Sequence, residues 1–139
     1  MGHPHPVASI LSRGAAAGLG LCLLTLPACS VIDAEKARIC RIALPALEPA
    51  GTRIAIVSTR AIENGVRLDY RAAPRAGDGL DRFAECLFAL GRRADLEAIT
   101  TDRGKVPGAT VYLLKRYYIE TEEGAAADPG ADREPDTAK

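Results

Sequence analysis

The chain has 139 residues and equal numbers of acidic and basic side chains, 18 of each, so its formal net charge is zero. That length suits one modest domain. The hydrophobic share of 47% excludes a wholly disordered chain, and the charge balance excludes a polyionic one. Six aromatic residues, four Tyr and two Phe with no Trp, are too few for a base-stacking platform, and a net-neutral chain is a poor nucleic-acid binder. No nucleic-acid partner is expected.

The first 14 residues carry one charge, Arg13, and Ala15 to Leu26 is an unbroken run of apolar, Gly and Thr residues. About a dozen residues are too few to cross a hydrocarbon core, which needs roughly 20. They suit the apolar region of a secretion signal. An uncleaved anchor from Ala15 to Ile32, ordinary signal cleavage and a buried segment are the competing readings.

The run ends Leu26-Pro27-Ala28-Cys29. This resembles the lipobox of bacterial lipoprotein precursors, with a leucine three residues before the cysteine and a small residue just before it. Pro27 stands where that family usually has a small or β-branched residue. The resemblance covers residues 1–30 and is silent on the remainder, for which no family is recognised. It implies that residues 1–28 are removed, that Cys29 becomes the first residue, and that its thiol carries diacylglycerol. Two or more acyl chains hold stably in a bilayer where one holds marginally. Ser30 after the cysteine implies export to the outer membrane, on its periplasmic face. The His3 and His5 tract, metal-binding in appearance, falls in the removed segment.

The same resemblance orders the cysteines. Cleavage removes Cys22 and lipidation consumes Cys29, which leaves Cys40 and Cys86 in an oxidising compartment. A disulfide between them is expected, with two separate buried thiols as the alternative. Two Cys without a His in the mature chain are too few for a zinc site, so no metal and no cofactor are expected.

Ser30 or Asp33 is a suitable cap for a helix over 34–44, with Ile32, Ile39, Cys40 and Ala43 on one side and Pro45 and Pro49 to stop it. Thr52 to Arg60 reads as a strand. Asn64-Gly65 is a strong hairpin signal, and Val66, Leu68 and Tyr70 then alternate with Arg67, Asp69 and Arg71. Residues 81–90 fit either a helix ending at Gly91 or a strand with Ala84, Cys86 and Phe88 on one side. The strand is favoured because 95–101 also alternates and needs an antiparallel neighbour. There the expected faces are Leu96, Ala98 and Thr100 against Glu97, Ile99 and Thr101. Pro107-Gly108 opens a last element through Glu120, a helix on the spacing of Val111, Leu114 and Tyr118, with a strand as the alternative.

The fold expected is therefore α+β: a small antiparallel sheet of about four strands flanked by an N-terminal and a C-terminal helix. It occupies 29–121, and the Gly, Ala, Pro and acid-rich residues 122–139 are expected to be a disordered acidic tail. Residues 31–121 hold a surplus of three positive charges and the tail a surplus of four negative ones.

Both histidines precede Cys29, so the mature chain has none. Ser-His-Asp, Cys-His and His-metal mechanisms all need one. Asp78, Asp81 and Glu85 are the remaining candidates for acid–base or cation chemistry, at a spacing that more simply describes a turn and a solvated face. Arg67, Arg71 and Arg75, with Arg53 and Arg60, form a candidate anion-binding stripe for lipid headgroups or other phosphates. The expectation is a non-catalytic, lipid-anchored envelope module that meets another envelope protein. Binding of anionic ligands through the arginine face is the alternative, and a carboxylate hydrolase comes third.

Overall fold

Helix α1, Ala34–Leu47, begins where Asp33 turns its carboxylate back on the chain. Asp33 Oδ1 accepts from the backbone N–H groups of Glu35 and Lys36 at 3.0 and 3.1 Å. That satisfies two donors a helix start otherwise leaves open. Pro45 does not stop the helix, contrary to expectation: it sits in the last turn, where its missing N–H deprives only the Arg41 carbonyl of a partner. Pro49 does. It holds the preceding Glu48 extended at φ −105°, ψ 158°.

The computed structural model describes residue 2 and residues 31–91 and 93–131. The expected signal segment, with Cys22, His3 and His5, and the lipidation site Cys29 lie outside the described residues, Gly2 apart.

Five strands follow in meander order: β1 Arg53–Ile62, β2 Gly65–Ala73, β3 Leu80–Phe88, β4 Leu96–Thr101 and β5 Gly104–Lys105. Each pairs antiparallel with the next, so the sheet is open with β1 and β5 at its edges. It has five strands where about four were expected, because the two-residue β5 is too short to leave a periodic signal. Of residues 81–90, those up to Phe88 are strand, and Ala89 and Leu90 lie beyond its end. The hairpin forms, but its turn sits one residue earlier than the Asn64-Gly65 signal: Ile62 pairs with Gly65 around Glu63-Asn64, and Asn64 takes the left-handed φ of 55°. Gly65 is required by proximity, since a Cβ there would lie 2.1 Å from the Cys86 carbonyl oxygen of β3.

Two irregularities change which residues face inward. In β1 the register jumps between Ile56 and Ser58. Val57 is the extra residue, as in a β-bulge. Ile54 and Ile56 point to the core before it, and Thr59 and Ala61 lie opposite the buried Leu68 and Val66 after it. In the β3–β4 pair the register jumps between Leu87 and Phe88. The expected alternation of β4 therefore breaks, and Leu96, Ile99 and Thr101 are the buried residues.

Helix α1 packs on β2 and β3, and helix α2, Gly108–Tyr117, packs on β4. Both contribute to one apolar core, which includes Cys40, Ile42 and Leu44 of α1, Leu68 and Tyr70 of β2, and Val111 and Leu114 of α2. Tyr70 is the largest side chain fully inside. Cys40 and Cys86 are joined by a disulfide, with their Cα atoms 5.9 Å apart, which ties α1 to β3.

The chain does not become a disordered tail at 122. Residues Glu122–Ala126 form a short helix, α3, capped by the Thr121 hydroxyl, which accepts from Gly124 N–H at 3.1 Å. Gly124 is buried against the Tyr118 carbonyl and Ile42, where a side chain would not fit. Asp128, its side chain 8% exposed, accepts from Arg41 Nε and Nη2 at 2.9 and 3.1 Å. Composition alone suggested a solvated segment, but one small residue and one ion pair dock it on α1. Residues 132–139 lie outside the described residues.

No helix among the described residues is long and apolar enough to cross a membrane.

Candidate functional site

The face of the sheet turned away from the helices carries a ladder of charge. Strand alternation puts Arg67, Asp69 and Arg71 of β2 on that face, opposite Glu85, Phe83 and Asp81 of β3 respectively. The Val57 bulge brings Ser58 and Arg60 of β1 to the same face, opposite Asp69 and Arg67. Asp69 accepts from the Ser58 hydroxyl at 2.8 Å, from Arg60 at 2.9 Å and from Arg67 Nε at 3.1 Å. Arg67 also donates to Glu85 Oε1 at 2.8 Å, and its guanidinium lies 4.0 Å from the centre of the Phe83 ring. Burial works to raise the Asp69 pKa, but the Ser58 hydroxyl and the Arg67 and Arg60 charges outweigh it and hold it below the usual value. The hydrogen bond to Glu85 raises the Arg67 pKa further.

Of the three arginines proposed for anions, the ladder thus engages Arg67 with two carboxylates and Arg71 with one, Asp81, at 3.0 Å. Arg75 lies beyond the end of β2, exposed in the β2–β3 loop, where it covers Gly51. The three do not form a continuous cationic stripe. Arg53 is exposed on the same face, opposite Ala73.

The candidate carboxylates do not converge. Asp69 and Glu85 share Arg67, Asp81 is 82% exposed beside Arg71, and Asp78 is exposed in the loop before β3. Among the described residues, no group of three or more His, Cys, Asp or Glu is placed to hold a metal ion.

A second polar cluster was not anticipated. The extended Glu48 sends its carboxylate, 2% exposed, under the end of α1. It accepts from the Tyr70 hydroxyl at 2.7 Å and from Arg103 Nη2 and Nη1 at 3.2 and 3.3 Å. Arg103 also donates to the Leu47 carbonyl at 2.8 Å. The last turn of α1 has no basic residue of its own, so the β4–β5 turn supplies the cation that favours a helix C-terminus. Arg82 stands 3.6 Å from Glu48 through Nε, which is buried without a hydrogen bond, while its Nη1 donates to Asp102 at 2.8 Å. Burial raises the Tyr70 pKa well above that of free tyrosine, and the Glu48 charge adds to the effect. The residue pairs are 22 and 55 positions apart, and only the proline after Glu48 hinted that its side chain would turn inward.

The chain matches no family model, no curated protein and no solved structure. Its chemistry is therefore read from these residues alone. The cluster is closed, with its acids and bases paired against each other, and the ladder is balanced in sign. Both arrangements fix strands and a helix end in place.

Proposed function

We propose that this protein is a non-catalytic lipoprotein of the bacterial cell envelope. It is anchored through Cys29, on the periplasmic face of the outer membrane, and serves as an accessory module that binds another envelope protein. The observation that carries the reading is the Cys40–Cys86 disulfide, with both residues 0% exposed at the junction of α1 and β3. Structural disulfides persist in oxidising compartments and are rare in the cytosol. The Leu26-Pro27-Ala28-Cys29 sequence supports the anchor, and it leaves only four residues between Cys29 and the start of α1. The paired state of Asp69, Glu85 and Glu48 supports a structural role for the acids over a hydrolytic one. The arginine face is the weaker alternative, because Arg67 and Arg71 are already held by carboxylates.

Intact-mass spectrometry of the membrane fraction tests the reading. The expected species has lost residues 1–28, gained acyl mass and lacks two hydrogens for the Cys40–Cys86 bond. Cys29→Ala should remove the acyl mass and release the protein from the membrane. A native chain that retains Met1 in the cytosolic fraction overturns the proposal.

A further inference from the structure

Helix α2 has one face in the core and one without a partner. Val111 and Leu114 are buried, while Tyr112, Leu113 and Tyr117 are 62%, 53% and 68% exposed. At helical spacing these three lie together with Arg116. Residues 103–119 contain Arg103, Lys105, Lys115 and Arg116 and no acid. Arg103 is engaged with Glu48 and Lys115 with Asp95, but Lys105 and Arg116 have no ion-pair partner among the described residues. The exposed face is therefore aromatic and apolar with Arg116 on it, while Glu97 of β4 shares a concavity with Tyr112 at its edge and Glu120 follows the helix. Tyr and basic side chains of this kind are enriched where protein meets lipid headgroups.

The position of the face matters as much as its composition. Ile119 and Glu120, just past the end of α2, line shared surface concavities with Ile39 and Glu35 in the first turns of α1. The C-terminal end of α2 thus lies beside the start of α1, where the chain leads back to Cys29. Four residues span at most about 14 Å. Two of them, Val31 and Ile32, are apolar and exposed. With Cys29 fastened in a bilayer, such a tether holds this end of the domain at the headgroups.

We propose that the outer face of α2, built from Tyr112, Leu113, Arg116 and Tyr117, lies on the anionic phospholipid surface that holds the anchor. This rests on the reading of Cys29 as lipidated. The anchor supplies proximity, and α2 fixes orientation: the far end of the sheet, where β3 begins at Leu80, points away from the membrane.

The chain has no Trp, so a single introduced indole reports without background. Full-length Tyr117→Trp and Leu80→Trp variants, both at exposed sites, are purified in lipidated form. Each is reconstituted into phosphatidylethanolamine–phosphatidylglycerol vesicles with and without brominated acyl chains. Both variants should float with the vesicles. The Y117W indole should shift to the blue and lose most of its emission to bromine, while the L80W emission stays unchanged. Addition of Arg116→Gln to Y117W should weaken that quenching. If both variants float but Y117W stays exposed to aqueous iodide and is not quenched by bromine, the α2 surface is wrong and the anchor stands. If Y117W is shielded from iodide yet not quenched by bromine, a protein covers α2 and the proposal is overturned. If neither variant floats, the anchor itself fails.

Discussion

Tyr70 Oη donates to Glu48 Oε1 at 2.7 Å, across the junction between the middle of β2 and the residue that ends α1. The contact fixes the angle at which the chain leaves the helix. Tyr70 is also the largest fully buried side chain, so the hydrogen bond is shielded from water.

Removing the carboxylate should therefore cost more than removing the hydroxyl. Glu48→Ala leaves the Arg103 and Arg82 charges and the Tyr70 hydroxyl facing an emptied site. Breaking one partner of a fully buried ion pair typically costs about 3–5 kcal/mol, and because Arg103 is 43% exposed and regains water the loss should fall toward the lower end. Tyr70→Phe removes one hydrogen bond and leaves Glu48 with its arginines, at about 1–2 kcal/mol. Urea unfolding of both variants checks the order. Equal losses would show that the arginines contribute little at this site.

Tyr70 also sets an alkaline limit. Its native pKa lies above the unfolded value of about 10, so the folded chain keeps a proton that the unfolded chain releases. Stability from this group is complete below about pH 10 and declines as pH rises from there toward the native pKa. Tyr70→Phe should flatten the decline, measured as the unfolding midpoint between about pH 9 and 11.

Asp69 sets the acid side with the opposite sign. Its native pKa lies below the unfolded value of about 3.9, so its contribution is present above that pH and is lost as pH falls through the native pKa. Asp69→Asn should lower stability at neutral pH and reduce the slope of stability against pH on the acid side. Midpoints at pH 7 and from pH 5 downward give the comparison. An unchanged acid slope would place the acid-sensitive pairs elsewhere.

The Cys40–Cys86 bond closes a loop with a sequence separation of 46, for which the chain-entropy model gives about 4 kcal/mol. A Cys40→Ala, Cys86→Ala double variant should lose about that much in chemical unfolding. The original protein should show a similar drop after reduction, and the double variant none.

Gly65→Ala should be costly because the new methyl group meets the Cys86 carbonyl and must push β2 from β3. Such overpacking typically costs about 1–3 kcal/mol. Asn64→Gly, at a φ that glycine adopts freely, should be close to neutral. Thermal unfolding of the two variants separates a need for space from a need for backbone freedom.

The hairpin was legible because Asn64-Gly65 and the alternation of Val66, Leu68 and Tyr70 are local signals that agree. The Cys40–Cys86 pair was legible only through the lipobox resemblance, which set Cys22 and Cys29 aside. The face of β4 was not, because a slip in register leaves no trace in composition yet moves Ile99 to the core side. The same holds for β1, where the Val57 bulge alone explains how the odd-numbered Arg53 and the even-numbered Arg60 share one face. Pro45 misled because a proline in a last helical turn removes only one bond, whereas Pro49 acts on the residue before it. The arginine stripe was read from spacing along β2, and its neutralisation came from Asp69 in β2 itself and from Glu85 and Asp81 of β3, whose register the spacing does not contain. Glu48 gave no signal beyond the proline that follows it, because its partners are distant in sequence.

The cystine between α1 and β3 also decides how the domain bears mechanical load. A pull on the amino terminus can straighten the chain only as far as Cys40. There the force passes through sulfur into β3, the middle strand of five. The leading helix can be peeled away only through its first turns, up to Cys40. Residues 41–85, with β1, β2 and most of β3, lie inside the loop that the disulfide closes and are not extended by that pull.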